Sequence, residues 1–211
     1  MSRNAAIIIL AVLIAAGAGF YFLGQSSSDG RPAFAPEGHF KTMNAADAEG
    51  SKAEQLYQSI ISDMRSGYAE SDEPAGRAYQ TWTRFNTAPY KSKTHGERYV
   101  NNYGNALAAE YRAVKQGKVM PVGAILAKDA FAITTEGDVY AQSLFVMEKL
   151  PAGSSKPTGD WRYVMITPTG ETYGDTRGEE PGKVDFCHDC HKSVRNSDYL
   201  FYVPEAYRAL R

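Results

Sequence analysis

The sequence predicts an α+β fold, mainly antiparallel β-sheet with a few helices, on three observations. Residues 122–128, 139–147 and 161–166 are successive runs rich in β-branched and aromatic side chains, separated by turn material at Glu136-Gly137-Asp138 and at 154–159. Tyrosine is abundant, 14 in 211 residues, which suits half-buried strands better than a helical bundle. Upstream, one stretch carries helical periodicity instead of alternation. The length accommodates one domain with a substantial core plus an extension, but is short for two full domains.

In chain order, residues 5–23 form an uncharged, almost wholly apolar run behind Met1-Ser2-Arg3-Asn4, the pattern of an export segment. The run exceeds the roughly 7–15 residues of a signal-peptide core and reaches the length that spans a bilayer. Ala16-Gly17-Ala18 offers small residues for cleavage, but Phe20-Tyr21-Phe22-Leu23 would then remain as an apolar stub. Arg3 is the only charge before the run, so the rest of the chain is expected outside the cytoplasm. The expectation is an exported, periplasmic protein, anchored to the inner membrane by residues 5–23 if that segment is not removed.

Residues 24–50 are rich in Ser, Gly, Pro and Ala without sustained period, and read as a linker. From 51 to about 68, Ala53, Leu56, Tyr57, Ile60, Ile61 and Met64 recur at helical spacing, with Ser51 and Glu54 as a candidate capping pair. Residues 79–85 alternate and read as a strand, 105–115 as a short helix, and the three β runs as a meander. The division is therefore a signal or anchor segment at 1–23, a linker at 24–50 and one folded domain at 51–211. A formal net charge of −1 and a sequence pI near 6.4 give no reason to expect a nucleic-acid partner.

The chemistry lies near the C-terminus. The two cysteines fall in Cys187-His188-Asp189-Cys190-His191, too close together for a disulfide framework. C-x-x-C-H is the signature of c-type haem attachment: the two thiols add to the haem vinyl groups, and the adjacent imidazole reaches the iron as axial ligand. A zinc site or redox dithiol would use the same cysteines, but the sequence supplies few further ligands for zinc. No internal repeat suggests a second haem, so the expected cofactor is one covalent haem c held by Cys187, Cys190 and His191, with His191 on the iron. His188 reads as solvated. No Met follows His191; Met120, Met147 and Met165 precede it, and the latter two lie in strand-like runs where packing is the ordinary role. An open or weakly occupied sixth site is expected.

The motif's late position and its surroundings resemble the cytochrome P460 family, small β-rich c-type cytochromes related to cytochrome c′-beta. Cys187-x-x-Cys190-His191-Lys192 followed by Asp198-Tyr199-Leu200-Phe201 is similar to the family's ending. Gly159-Asp160-Trp161-Arg162-Tyr163 resembles its tryptophan-bearing strand, and residues 121–128 resemble the strand carrying its haem-modifying lysine. The similarity covers roughly 79–204. It implies that Lys128 is joined covalently to the porphyrin ring, that Arg98 is a distal-pocket arginine, and that the activity is hydroxylamine oxidation with nitric oxide chemistry at the same iron. It further implies a soluble cytochrome as electron acceptor and a homodimer.

The residues themselves leave alternatives open. Val122, Ala124, Leu126 and Lys128 share a strand face, and burial would lower the pKa of the Lys128 amine; a solvated lysine at a strand end is the alternative. Arg98 is otherwise a surface charge, and His95, in the turn-like Lys93-Thr94-His95-Gly96, an exposed imidazole. Trp82 and Trp161 are expected to wall the haem. Glu97, Asp129 and Glu148 are candidates for a catalytic base. Two rivals to hydroxylamine oxidation stand: nitric oxide binding in the manner of cytochrome c′-beta, and plain electron transfer with a Met ligand.

Overall fold

The computed structural model describes residues 40–41, 48–113 and 118–209; the apolar run 5–23 and most of the linker lie outside the described residues. Among the described residues no helix is long and apolar enough to cross a membrane. Nine strands there form one antiparallel sheet: β1 Phe40–Lys41, β2 Thr83–Arg84, β3 Tyr90–Ser92, β4 Arg98–Gly104, β5 Ile125–Ile133, β6 Asp138–Ala141, β7 Leu144–Lys149, β8 Trp161–Ile166 and β9 Thr172–Asp175. Three α-helices accompany it: α1 Gly50–Ala69, α2 Pro74–Ala78 and α3 Asp185–His191. The α+β reading, mainly antiparallel sheet with a few helices, is the observed architecture.

β5 organises the sheet. One of its edges pairs with β4 over Leu126–Phe131; the other pairs first with β7 and then with β6. β8 continues beyond β7, and β9 beyond β8. Strand alternation then sorts the side chains with little exception. Tyr99 and Tyr103 of β4, Ala127 and Phe131 of β5, and Val146, Val164 and Ile166 of β7 and β8 form one core with α1, whose Ala53, Tyr57, Ile60, Met64 and Tyr68 are buried against them. Those positions recur every three or four residues, so a single face of the helix supplies them. The other sheet face carries Val100, Leu126, Ala130, Trp161 and Tyr163 into a second core with Leu200 and Val203 of the C-terminal segment.

Several local expectations are corrected. Residues 79–85 are not one strand: Tyr79–Thr81 is a 3-10 turn and only Thr83–Arg84 pairs, because Tyr79 is wholly buried against the α1 core and cannot alternate. The helix read at 105–115 is a 3-10 helix, Ala106–Ala113. The run 139–147 breaks at Gln142-Ser143 into β6 and β7, and the strand read at 122–128 starts later and runs to Ile133. Ser51 does not cap α1; Glu49 holds that position without a side-chain bond, and Glu54 instead pairs with Arg84.

Candidate functional site

α3 explains the spacing of the C-x-x-C-H motif. On a helix Cys187, Cys190 and His191 stand at i, i+3 and i+4, on one face. All three line a cleft of about 800 Å³, its open mouth included. The floor is the second sheet face, with Leu126 and Lys128 of β5, Phe145 and Met147 of β7 and Tyr163 of β8; Phe186, Leu200 and Phe201 close the sides. His188 lies off that face, and its Nε2 meets the Pro157 carbonyl at 2.5 Å, so it is tied to the preceding loop instead of solvated.

His191 is held as a metal ligand has to be. Its Nδ1 lies 2.6 Å from the Tyr199 carbonyl, an acceptor only, so Nδ1 carries the proton and donates while Nε2 keeps its lone pair. Its ring packs edge-on against Tyr163 and Phe201, at 5.4 and 5.2 Å between centroids. Burial lowers its pKa to about 4, with the Lys128 charge acting in the same direction against the Tyr199 hydrogen bond, so the imidazole is neutral. Burial pushes Cys187 up to about 12, which keeps it a thiol. Two thiols and a neutral imidazole on one helix face, above an apolar slot, have the chemistry that a c-type haem requires. Among the described residues no group of three or more His, Cys, Asp or Glu is placed to hold a bare ion.

The carbonyl that orients His191 is itself clamped. Asp198 and Tyr199 both have left-handed backbone, φ 53° and 63°, costing roughly 1–2 kcal/mol each for non-glycine residues. The Trp161 indole donates to the Asp198 carbonyl at 2.8 Å, the Met120 amide donates to its carboxylate at 2.8 Å, and the buried Lys149 ammonium pairs with the same carboxylate. On the other side Asn102 donates to the Tyr111 hydroxyl at 2.8 Å, which donates to the Phe201 carbonyl at 2.6 Å.

Of the residues singled out from sequence, Lys128, Cys187, Cys190 and His191 meet at one cleft. Lys128 sits mid-strand, not at a strand end, and shares the sheet face of Leu126; burial pulls its pKa down to about 8. Arg98 does not line the cleft. It donates through Nε to Gln142 and through Nη1 to the His95 carbonyl, at 2.8 and 2.9 Å. Its neighbour His95, read as an exposed loop residue, is a lining residue packed on Phe145 at 5.1 Å. The loop folds back because Gly96 and Glu97 take left-handed backbone, φ 70° and 59°, and Gly96 was the one signal of that turn.

Neither tryptophan walls the cleft. Trp82 packs against the α1 core on the far sheet face, and Trp161 is buried beneath Asp198. Their expected place is taken by Phe145, Tyr163, Phe186 and Phe201. The candidate bases are also elsewhere: Glu97 is exposed, Glu148 pairs with Arg162, and Asp129 is buried on the α1 face. Met147 lines the cleft, whereas Met120 and Met165 do not.

A sequence model described as Cytochrome P460 matches residues 76–202, more than half of the 211-residue chain, and comparison with curated proteins finds no match. The matched span takes in the whole sheet from β2 onwards, the cleft and its C-x-x-C-H helix. The chain belongs to the cytochrome P460 family, and is with it a c-type haem cytochrome.

Proposed function

We propose that this is an exported mono-haem cytochrome that oxidises hydroxylamine and passes the electrons to a soluble cytochrome. A haem would be held through Cys187 Sγ and Cys190 Sγ, with His191 Nε2 to ligate its iron and Lys128 Nζ as a further covalent tether. The observation that carries the reading is the position of Lys128: its amine lines the same cleft as Cys187, Cys190 and His191, and burial lowers its pKa to about 8, which raises the share of the nucleophilic free amine. The bound haem supplies the redox centre and the coordination site for a small nitrogen substrate.

The chain's own groups do the rest. The Tyr199 carbonyl fixes the His191 tautomer and raises its basicity as a ligand. Phe145, Phe186 and Phe201 exclude water from the slot. With Glu97, Asp129 and Glu148 all outside the cleft, Lys128 is the lining group whose lowered pKa suits it to exchange a proton there.

The test is the absorption spectrum of the purified, reduced protein, together with the mass of its haem-bearing proteolytic fragments. A Soret band displaced far to the red, with a Lys128 peptide joined to the Cys187–His191 peptide and turnover of hydroxylamine with a cytochrome acceptor, is expected. An ordinary high-spin c-type spectrum with Lys128 free sinks the cross-link and favours the second reading, nitric oxide binding as in cytochrome c′-beta. The observation on that side is the lining itself, apolar for the most part and without a carboxylate.

A further inference from the structure

His95 has the makings of a ligand-sensing group, and three features fix what it can do. The first is rigidity. Its carbonyl is held by Arg98 Nη1, Arg98 is held in turn by Gln142, and the ring lies edge-on to Phe145. The second is placement. Phe145 pairs with Met165 and Met147 with Tyr163, so Phe145 and Tyr163 are diagonal neighbours on the sheet, roughly 7–8 Å apart. His95 stands on one of them and His191 on the other, and both imidazoles line the cleft.

The third feature is the tautomer. His95 Nδ1 lies 2.9 Å from the Ser92 hydroxyl and 3.1 Å from that of Thr94. Ser92 is buried, and its hydroxyl needs an acceptor; Nδ1 is nearer than the Thr94 oxygen, at 3.3 Å. With Ser92 as donor Nδ1 accepts, and the ring proton is then on Nε2. Among the described residues nothing hydrogen-bonds Nε2. Burial first, then the charges of Lys128, His191 and Arg98, holds the ring's pKa down to about 2, so it stays a neutral donor at ordinary pH.

We propose that His95 is the hydrogen-bond donor of the ligand side of the haem cleft, its Nε2–H selecting small ligands that carry negative charge over neutral ones. The assignment rests on haem attachment at Cys187, Cys190 and His191. A protonated Nε2 has no lone pair for iron, so His95 would not take up a coordination position of a bound haem. The Arg98 guanidinium, held on the His95 carbonyl, adds positive potential beside the ring, and no carboxylate lines the cleft to oppose it.

The experiment uses the full-length haem-bearing protein and its His95→Leu and His95→Gln variants, each checked by mass for covalent haem on the Cys187–His191 peptide. Azide and fluoride affinities of the ferric forms and carbon monoxide affinity of the ferrous forms are measured by optical titration, with the C–O stretching frequency as an independent readout. Loss of a charge-assisted hydrogen bond predicts azide and fluoride binding weakened by about 10–100-fold in His95→Leu. Carbon monoxide affinity should change by less than about threefold, and the C–O stretch should move to higher wavenumber. His95→Gln, which keeps an N–H donor, should retain most of the anion affinity. Azide affinity within about twofold of the parent in His95→Leu overturns the proposal. So does azide binding that tightens as a low-spin parent spectrum becomes high-spin, because His95 would then be an iron ligand. A parent protein without haem on that peptide refutes the attachment itself, a separate failure.

Discussion

Replacing Lys149 by Met tests how the His191 carbonyl partner is held in place. The Lys149 and Asp198 side chains are only 7% and 6% exposed. The ammonium pairs with the Asp198 carboxylate, donates to the Gly159 carbonyl at 2.9 Å and stands 4.9 Å from the Trp161 ring centre. Met keeps the stem's volume but leaves a buried carboxylate with one remaining donor, the Met120 amide. Breaking a buried pair in this way costs about 3–5 kcal/mol. For a domain of this size that lowers Tm by roughly 6–20 °C.

Adding Asp198→Asn removes the stranded charge while keeping an acceptor for the Met120 amide, so the double variant should recover at least about half of the loss. Thermal unfolding of the haem-bearing protein, followed by circular dichroism, provides the measurement. The Soret region provides a second signal, because the segment released is the one that carries the Tyr199 carbonyl. A fall in Tm of less than about 2 °C for the single variant, or a double variant no more stable than the single, would show that the pair does not clamp the loop.

Asp129→Asn should make stability less dependent on pH. Burial pushes the folded Asp129 carboxyl up to about 6, so the folded chain binds that proton more tightly than the unfolded one. Stability is then fully present below the unfolded pKa and lost as pH rises through about 6, by roughly 3 kcal/mol. Urea unfolding at pH 4 and pH 7.5 should show the variant gaining on the parent at the higher pH; an equal difference at both refutes it. Gly159→Ala should destabilise by about 2–4 kcal/mol, because Gly159 has φ +64° and a Cβ there would lie 2.1 Å from the Tyr199 ring; a variant within about 0.5 kcal/mol of the parent in urea unfolding contradicts that packing. His188→Ala should leave the haem spectrum unchanged, its polar contacts being to the Pro157 carbonyl and the Asp189 carboxylate; loss of covalent haem would give His188 a part in attachment.

What the sequence made legible was what local chemistry dictates. α1 could be read because its apolar positions follow one period, β8 because it is a short run of β-branched and aromatic residues, and the C-x-x-C-H motif because two thiols and an adjacent imidazole at that spacing carry a recognisable chemistry. β4 could not: Arg98-Tyr99-Val100-Asn101-Asn102-Tyr103-Gly104 contains two asparagines and a glycine, residues poor in strands. Its polarity is satisfied only in the fold, where Asn101 donates to Asp129 and Asn102 to Tyr111. The same holds for the site. Lys128 was singled out by the family resemblance, with which the face it shares with Leu126 was compatible, whereas His95 depends on a hairpin whose second strand was unreadable. Phe145 and Tyr163 were visible as strand residues, but their place beneath the two imidazoles follows from a cross-strand register that no local pattern reports.

That register has a physical guard. Lys128 and Asp129 are neighbours on β5, so the pleat sends the amine to the cleft and the carboxylate to the α1 face. There Asp129 accepts from the Tyr57 hydroxyl at 2.7 Å and from Asn101 Nδ2 at 2.9 Å, and Tyr57 meets the Tyr103 hydroxyl at 2.6 Å. A slip of one residue would exchange the faces of every side chain on β5. The ammonium would then be buried among tyrosines, and the carboxylate would be stranded in an apolar slot without its donors. Each misplacement costs several kcal/mol, far more than the ladder bonds distinguish between registers. The polar cluster beneath α1 lies on the far side of the sheet from the cleft, and its contribution to the site is positional: by accepting only Asp129, it leaves Lys128 one direction in which to point.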